Sequence, residues 1–232
     1  GYEVVTAPDN FFYSHAFTMQ YGEPFTHTGG LLSFAPMADL TVSAGLAKGW
    51  DNFEDHTDGN ASFLGSVTYA VDESTSLILA VVSGNEGSGM NRTMYSAVGT
   101  HNFCETWSYV VQHDFGSQEA GSADGSNAQW WGVNQYLINK LNDTVSVGAR
   151  AEGFRDDDGT RVAGLRSGSA AAAGDYFGFS LGLNYMPTAY LKVRPEVRWD
   201  LQDRSDSAAP SAYDNGTSGN QVTVSSDVIL SF

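Results

Sequence analysis

Charged side chains that recur at every second position are the residues of this sequence best suited to act on a solute. Between residues 191 and 202 they alternate with apolar residues, and the charged members are Lys192, Arg194, Glu196, Arg198 and Asp200. A period of two places all of them on one face of a β-strand. Such a charged row can set an electric field across a narrow wet passage, or its members can pair and stabilise the wall. Both interpretations stay open, and they are compatible.

Arg150 and Glu152 extend the same pattern to an earlier segment. They share a face with Ser146 and Gly148 in an alternating stretch at 144–155. We therefore expect them to line the same passage as the charged row.

The aromatic segment at 9–27 does not alternate and could narrow such a passage. It suits a short helix or an irregular stretch that ends before a turn at 22–24. Its large side chains need burial from water, which favours an inward fold as a constriction over an outer cap packed on the rim. The constriction candidates are Phe11, Phe12, Tyr13, His15, Phe17 and Tyr21. We expect His15 and His27 to be structural hydrogen-bonding residues rather than ligands.

Acidic residues cluster in two connections and are the weak candidates for a metal site. One cluster consists of Asp51, Glu54, Asp55, His56 and Asp58. The other consists of Asp156, Asp157 and Asp158, followed by Gly159. Hard cations such as calcium favour oxygen-rich loops, but the spacing matches no EF-hand. Solvated acidic loops are the favoured interpretation, and we expect no cofactor.

Composition excludes several classes of protein. The 232 residues are 41% hydrophobic and 16% charged, with a net charge of −16 and a pI near 4.4. Nucleic-acid binding is excluded because phosphates require a basic surface. The longest apolar run, at 77–82, is far too short for a spanning helix, which needs about 20 residues. The single cysteine, Cys104, excludes an internal disulfide and a cysteine-based zinc site.

Period-two alternation runs through most of the chain and predicts a series of β-strands. We predict strands near 28–36, 40–50, 61–71, 76–86, 92–103, 106–116, 128–139, 144–155, 176–187, 191–202 and 221–232. No helix-period segment of useful length interrupts them after residue 28, which disfavours a βαβ fold.

The predicted connections alternate between short and long. Short ones fall near 37–39, 72–75, 104–105, 141–143 and 188–190. Long ones, rich in Gly, Ser, Asp and Asn, fall near 51–60, 85–91, 117–127, 156–175 and 203–220. This asymmetry is typical of an outer-membrane barrel with short periplasmic turns and long outer loops.

A soluble β-sandwich is the alternative fold, because its strands also alternate. Three observations disfavour it. The first is that the chain has only three lysines and that its polar faces consist mainly of Ser, Thr and Gly. The second is that the last strand is apolar and ends on Phe232. The third observation is a set of aromatic residues near the strand ends, which we expect to form two interfacial girdles. They are Trp50, Trp130, Trp131, Tyr176 and Phe177 at the long-loop end, and Trp107, Tyr185, Tyr190 and Phe232 at the short-turn end.

Three stretches carry a resemblance to a known family. They are GYEVVTAPDNFFYSHAFTMQYGEPFTHTGGLLSF, QWWGVNQYLINKLNDTVSVGARAEGFRDDDGTRV and YFGFSLGLNYMPTAYLKVRPEVRWD. The chain resembles the OmpL-like β-barrel porins over nearly its whole length, although members of that family are longer at the N-terminus. The resemblance implies an outer-membrane barrel that passes small solutes, with no cofactor and no catalytic motif.

Strand number leads to an expectation about closure. If the last strand ends at the short-turn side, about eleven strands place the start of the first, near Thr28, at the long-loop side. Bacterial single-chain barrels have an even strand count and must close. We therefore expect eleven or twelve strands that form the C-terminal part of a larger barrel, closed by missing N-terminal strands or another polypeptide.

These observations predict an all-β protein, a transmembrane antiparallel β-barrel of the bacterial outer membrane, with residues 1–232 in one domain. The charged row must face the lumen, because each Arg or Lys near the lipid midplane costs about 2–4 kcal/mol. We expect a passive diffusion channel for small hydrophilic solutes or ions, in contact with outer-membrane lipid and open to homo-oligomer formation. The alternatives are a structural or adhesive barrel with cation-binding outer loops and an outer-membrane hydrolase with a hidden Ser–His pair.

Overall fold

The computed structural model describes residues 1–53, 61–86, 89–162 and 173–232, and these form one antiparallel sheet of eleven strands. The strands are β1 Gly29–Met37, β2 Leu40–Ala47, β3 Ser62–Ala70, β4 Thr75–Glu86, β5 Met90–Asn102, β6 Trp107–Gln118, β7 Ala128–Lys140, β8 Val145–Asp156, β9 Gly174–Thr188, β10 Leu191–Arg204 and β11 Asn220–Leu230. Each predicted strand is confirmed, with small shifts at its ends. Among the described residues, no helix is long and apolar enough to cross a membrane.

Strand order follows chain order, so each strand pairs with its sequence neighbours. The two edge strands, β1 and β11, pair only with β2 and β10 respectively. In the described residues the sheet is therefore not closed by hydrogen bonds between its first and last strands.

Connections at the two ends of the sheet differ in length, as predicted, with one exception. The predicted long connection at 85–91 is wrong at its ends, because Asn85 pairs with Asn91 and Glu86 pairs with Met90. Gly89, which directly precedes β5, has a positive φ of 79°, a conformation that glycine adopts readily in turns. Residues 54–60 of the predicted connection at 51–60, residues 163–172 of the predicted connection at 156–175, and residues 87–88 lie outside the described part of the chain.

The two faces of the sheet differ sharply in chemistry. Leu181 and Val197, on adjacent strands, are 68% and 47% exposed on the outer face. Ser180 and Arg198, which pair across the same strands, are buried on the inner face. An apolar outer face with polar residues inside is the arrangement of a barrel wall in lipid.

The predicted aromatic girdle is partly wrong. Trp131 and Phe177 are exposed on the outer face, whereas Trp50, Trp130 and Tyr176 are buried. Side chains alternate between faces along a strand, so the neighbours Trp130 and Trp131 must point to opposite sides. Trp50, Trp130 and Tyr176 instead belong to an inner apolar cluster with Phe17.

Residues 1–27, here called the inner segment, precede β1 and cover part of the inner face. The segment contains one 3-10 turn, Ala7–Asp9, and one π-helical turn, Thr18–Gly22. Its aromatic rings lie where the sheet carries glycine. A Cβ atom at Gly148 would lie 2.5 Å from Phe11, and one at Gly182 would lie 2.9 Å from Phe12. These glycines therefore provide the space in which the segment packs.

Candidate functional site

Arg150 is the central charged residue of the inner face. It lies on β8, is 2% exposed, and places its Nη1 atom 2.8 Å from Glu3 Oε1 of the inner segment. The same nitrogen donates to the carbonyl of Ser14 at 2.8 Å. Its Nε atom lies 3.2 Å from Glu152 Oε1, and its Nη2 atom lies 3.6 Å from Glu196 Oε1. Three buried carboxylates thus surround one guanidinium.

Arg198 forms a second ionic centre beside the first. Its Nη2 atom lies 2.9 Å from Glu152 Oε1, and its Nε atom donates to Asp200 Oδ1 at 2.6 Å. Its Nη1 atom donates to the carbonyl of His15 at 2.8 Å, and the guanidinium lies 4.9 Å from the ring centre of Phe17. The side chain thus contacts both the strands of the sheet and the inner segment.

Arg194 and Lys192 bind the backbone of the inner segment near the short-turn end. Arg194 Nη1 donates to the carbonyls of Ala7, Asn10 and Phe12 at 2.7–3.0 Å. Arg194 is also paired with Asp227 of β11, at 2.5 and 2.9 Å. Lys192 Nζ donates to the carbonyl of Pro8 at 2.7 Å.

Buried carboxylates accept hydrogen bonds from backbone N–H groups of the inner segment. Glu196 accepts the backbone N–H of Ser14 at 2.8 Å and its hydroxyl at 2.6 Å. Glu152 accepts the N–H of Phe17 at 2.5 Å, and Glu3 accepts the N–H of Ala16 at 2.8 Å. Bonds from these carboxylates and arginines thus satisfy much of the irregular backbone in this segment.

The pKa of Glu3 reflects this environment. Burial acts to raise it, but Arg150, the His15 side chain and the Ala16 N–H together hold the pKa of Glu3 below its usual value. The carboxylate is therefore charged while the segment is docked.

The constriction candidates occupy different positions. Phe11, Phe12, Phe17 and Tyr21 pack in the two inner apolar clusters. His15 pairs with Glu3, at 3.1 Å between Nδ1 and Oε2. Tyr13 is 46% exposed and does not belong to either cluster. Whether any of them limits a solute path stays a prediction, and the same holds for the charged row.

Asp156, Asp157 and Asp158 have separate partners. Asp156 is buried and accepts the backbone N–H groups of residues 160, 161 and 162 at 2.8–3.0 Å. Asp157 pairs with Arg155, and Asp158 accepts the N–H of Gln129. Within the described residues, no group of three or more His, Cys, Asp or Glu side chains could hold a metal ion. Glu54, Asp55, His56 and Asp58 lie outside that part of the chain.

A serine motif in β9 has the spacing of a hydrolase elbow but not its structure. Residues 178–182 spell Gly-Phe-Ser-Leu-Gly, yet all five lie within an extended strand rather than at a strand-to-helix turn. The hydroxyl of Ser180 accepts from Arg150 Nη2 at 3.2 Å.

The inner face divides into a charged part and an uncharged part. Strands β1, β2 and β3 contain no charged residue. Ser33, Ser43 and Ser66 are successive cross-strand partners there, and the first two share a hydrogen bond of 2.8 Å. Hydroxyl groups thus face the inner segment from one side, and charged groups face it from the other.

Sequence reasoning missed several residues of this site. Glu3 and Ser14 lie in the inner segment, which has no periodicity, so nothing in the sequence marks them as partners of Arg150. Asp227 could have been identified as a residue of the inner face, because it occupies an inward position of an alternating strand. Gln112 and Asp114 lie in a predicted strand whose inward polar row was not singled out.

Comparisons with known proteins identify one matching family and several similar solved structures. A family model described as "Putative beta-barrel porin-2, OmpL-like" matches residues 1–232. The outer-membrane channel DcaP of Acinetobacter baumannii aligns with a TM-score of 0.62 and 12% identity over 95% of this chain and 68% of that chain. The NanC porin aligns with a TM-score of 0.47 and 12% identity, over 89% of this chain and 93% of that one. No curated protein matches.

Proposed function

Because this chain belongs to the OmpL-like β-barrel porin-2 family, we propose that it forms an outer-membrane pore through which small hydrophilic solutes diffuse passively. The family consists of porin-like outer-membrane channels, and the fold is that of an outer-membrane barrel. The mode of transport and the class of solute are our proposal.

The chemistry of the inner face is the observation that carries this proposal. Its charged groups and hydroxyls point away from an apolar outer face that includes Leu181 and Val197. A wall of this kind separates lipid from a polar interior, and a polar interior can hold a continuous column of water. Passive diffusion needs no catalytic group, so we propose that the protein is not an enzyme.

We assign the inner segment to the constriction. It covers the charged strands β8 and β10, where Arg150 and Arg194 bind it, and leaves the hydroxyl side chains of β2 and β3 partly open. A solute would therefore pass between the inner segment and the uncharged strands. Charges such as Glu23 and the charged row would then act on the solute only from the side of the inner segment, and the uncharged strands would line the other side.

Conductance across a planar bilayer tests the proposal. We expect stepwise ion conductance from the purified protein, and uptake of small sugars into proteoliposomes. Deleting residues 4–22 should increase the single-channel conductance, because it removes the segment from the lumen. As a control, deletion of residues 121–126 from the connection between β6 and β7 should leave the conductance equal to that of the wild type. A folded protein that conducts neither ions nor sugars would contradict the proposal.

A plugged structural barrel is the second candidate, and one observation favours it. Arg150, Glu152, Glu196 and Arg198 are each at least nine-tenths buried, so the inner segment leaves little of the charged wall open to water. If the full-length protein shows no conductance in bilayers and the variant without residues 4–22 does conduct, the plugged barrel is favoured. A lipase and protease screen of the folded protein addresses the remaining enzymatic alternative.

A further inference from the structure

Two polar side chains lie on the outer face of the sheet, midway along adjacent strands. They are His113 of β6 and Gln135 of β7, and their strand neighbours Gln112 and Asn134 are buried on the inner face. Gln135 is exposed and His113 is partly exposed. Gln135 pairs with Val111, two residues before His113, so the two polar side chains form one patch.

This patch lies at mid-height of the wall. Trp107 and Trp131 are exposed on the same face near the two ends of these strands, where aromatic side chains mark the membrane interfaces. Gln135 is four residues from Trp131, and its partner Val111 is four residues from Trp107. At about 3.4 Å per residue, Gln135 therefore lies about 14 Å along the strands from either tryptophan. Lipid headgroups and interfacial water do not reach this level.

The sheet leaves part of the hydrogen-bonding capacity of the patch unused. Gln135 Oε1 accepts a hydrogen bond from the hydroxyl of Tyr109 at 2.7 Å. Within the described chain, Gln135 Nε2 and the ring nitrogens of His113 have no hydrogen-bond partner. The imidazole packs against the ring of Tyr95, with 5.6 Å between the ring centres. An amide N–H and an imidazole without partners are unfavourable in hydrocarbon, so a facing group that bonds to them would be favourable.

The same level of the outer face is apolar on the following strands. Gln135 pairs with Ala151 of β8, which pairs with Phe179 of β9, which in turn pairs with Trp199 of β10. The surface of β9 and β10 therefore suits lipid, whereas the polar patch distinguishes the surface of β6 and β7.

The patch lies on a ridge between two grooves of the outer face. The ridge, here called the outer ridge, consists of the outward side chains Tyr109, Val111, His113, Val133, Gln135 and Leu137. A groove of about 610 Å³ runs beside it over the small residues Ala97 and Gly99 of β5. A second groove, of about 530 Å³, runs along the other side over Ala149 and Ala151 of β8. The face thus presents a protruding shape and recesses that could receive it.

We propose that the outer ridge is the contact surface for a second copy of this chain, in a symmetric dimer whose two-fold axis lies along the membrane normal. The carboxamide of Gln135 donates through Nε2 and accepts through Oε1, so the two copies of Gln135 can satisfy each other across the axis. The ridge of each copy then packs into a groove of the other. Acyl chains can fill the grooves, but they offer no partner to Gln135 or His113.

This dimer goes beyond the proposed function, because it requires a barrel wall in lipid but no conductance. A dimer that conducts neither ions nor sugars would support the contact surface and contradict the proposed function. A conducting protein that stays monomeric would contradict the contact surface alone.

Sedimentation equilibrium of the folded protein in density-matched detergent tests the dimer. We expect the wild type to dimerise, and the combined variant His113→Leu with Gln135→Leu to dissociate at least tenfold more readily, because hydrogen bonds across the axis are lost. Gln129→Leu is the matched control, since it is the same change on the same face of β7 but beyond Trp131, at the interface. It should dimerise like the wild type. Association that survives the combined variant, as contact through the edge strands would, overturns the inference.

Cross-linking in lipid vesicles gives a second measurement that does not depend on detergent or on the leucine variants. Gln135→Cys in a Cys104→Ser background should form covalent dimers in high yield with a short bifunctional thiol reagent. Val224→Cys, 79% exposed on the outer face of β11, is the control and should not. Equal yields at the two positions, or no covalent dimer at Gln135→Cys, would contradict the proposed contact.

Discussion

Arg150 illustrates how a single side chain connects the wall of the sheet with the segment inside it. It is buried among Glu3, Glu152 and Glu196, so its positive charge compensates several carboxylates at once. Removing one member of a buried ionic cluster leaves the remaining charges uncompensated in a medium of low dielectric constant. The residue therefore matters more for the docking of the segment than for the net charge of the lumen.

Replacing Arg150 by Met should lower the free energy of unfolding by about 3–5 kcal/mol, because three buried carboxylates lose their common partner. Arg155→Met on the same strand is the control. Arg155 is partly exposed and pairs with Asp157 and Asp175, so its loss should cost at most about 1 kcal/mol. Chemical denaturation of the folded protein in detergent measures both values. Equal losses for the two variants would contradict this account.

The lowered pKa of Glu3 predicts a pH dependence with a definite sign. A carboxylate whose folded pKa is lowered adds stability that is fully present above its unfolded pKa, near 4.3. That stability is lost as the pH falls through the lower folded value. The difference in unfolding free energy between the wild type and Glu3→Gln should therefore be constant at neutral pH and shrink in acid.

Denaturation followed by tryptophan fluorescence between pH 7 and pH 2 measures this difference. Glu105→Gln, at an exposed turn, is the control and should show no comparable loss. A Glu3→Gln difference that stays constant down to pH 2 would show that the charge of Glu3 does not hold the segment.

Strands and the inner segment differ in how well the sequence predicts them. All eleven strands were predictable, because strict alternation fixes both the strand and the face of each residue. The seven charged wall residues were assigned to the inner face for that reason. The docked path of the inner segment was not predictable, because its contacts join positions such as Ser14 and Glu196 that have no common pattern. The pairing of Asn85 with Asn91 was not predicted, because Asn and Gly residues in this part of the sequence are typical of a loop.

Cysteine probes in a Cys104→Ser background should report three environments along the strands. Leu181→Cys and Val197→Cys should react with a lipid-soluble reagent, because both side chains are exposed on the outer face. Ser66→Cys should react with a water-soluble reagent, since it lies on the uncharged inner strands. Ser180→Cys should be protected, because the inner segment covers it, and should become reactive when residues 4–22 are deleted.

The reverse pattern of labelling at Leu181 and Ser66 would favour a soluble sandwich. Exposure of Ser180→Cys in the full-length chain would instead mean that the inner segment is undocked in the membrane.

Two edges define the molecule as a whole. Among the residues that the structure describes, β1 and β11 each have a neighbouring strand on one side only, and unpaired backbone groups cost several kcal/mol each in lipid. We expect both edges to pair with further strands, from the same polypeptide or another one. Paired cysteines at Ser33 and Ser225, in a Cys104→Ser background, test this. An intramolecular disulfide formed in high yield would show that β1 and β11 are direct neighbours and would contradict the expectation.

Net charge predicts the ion selectivity of the molecule. The chain carries a net charge of −16, while the positive and negative groups of the charged row largely pair with one another. We expect weak cation selectivity at low salt that declines as ionic strength rises, because the screening length falls from about 30 Å at 0.01 M to about 8 Å at 0.15 M. Asp157→Asn with Asp158→Asn should reduce selectivity mainly at low salt.

Reversal potentials across a bilayer under a salt gradient measure this selectivity. Asp156 is left unchanged in the variant, because it is buried and binds the backbone of its own loop. Arg198→Gln should increase cation preference at both salt concentrations, since the group lies in the wall. Strong anion selectivity of the wild type would show that other charges control the path.

The contacts of the inner segment also impose an order of events in time. Ser14 and Glu196 are 182 residues apart in the chain, and Arg194 binds carbonyls at a similar separation. Such contacts cannot form until the last strands exist, because long-range closure must wait for both ends of the loop. We therefore expect the inner segment, which is synthesised before the strands that it binds, to reach its final position after them. On this account the barrel wall assembles around a vacant interior, and the inner segment fills that interior in a late and separate step.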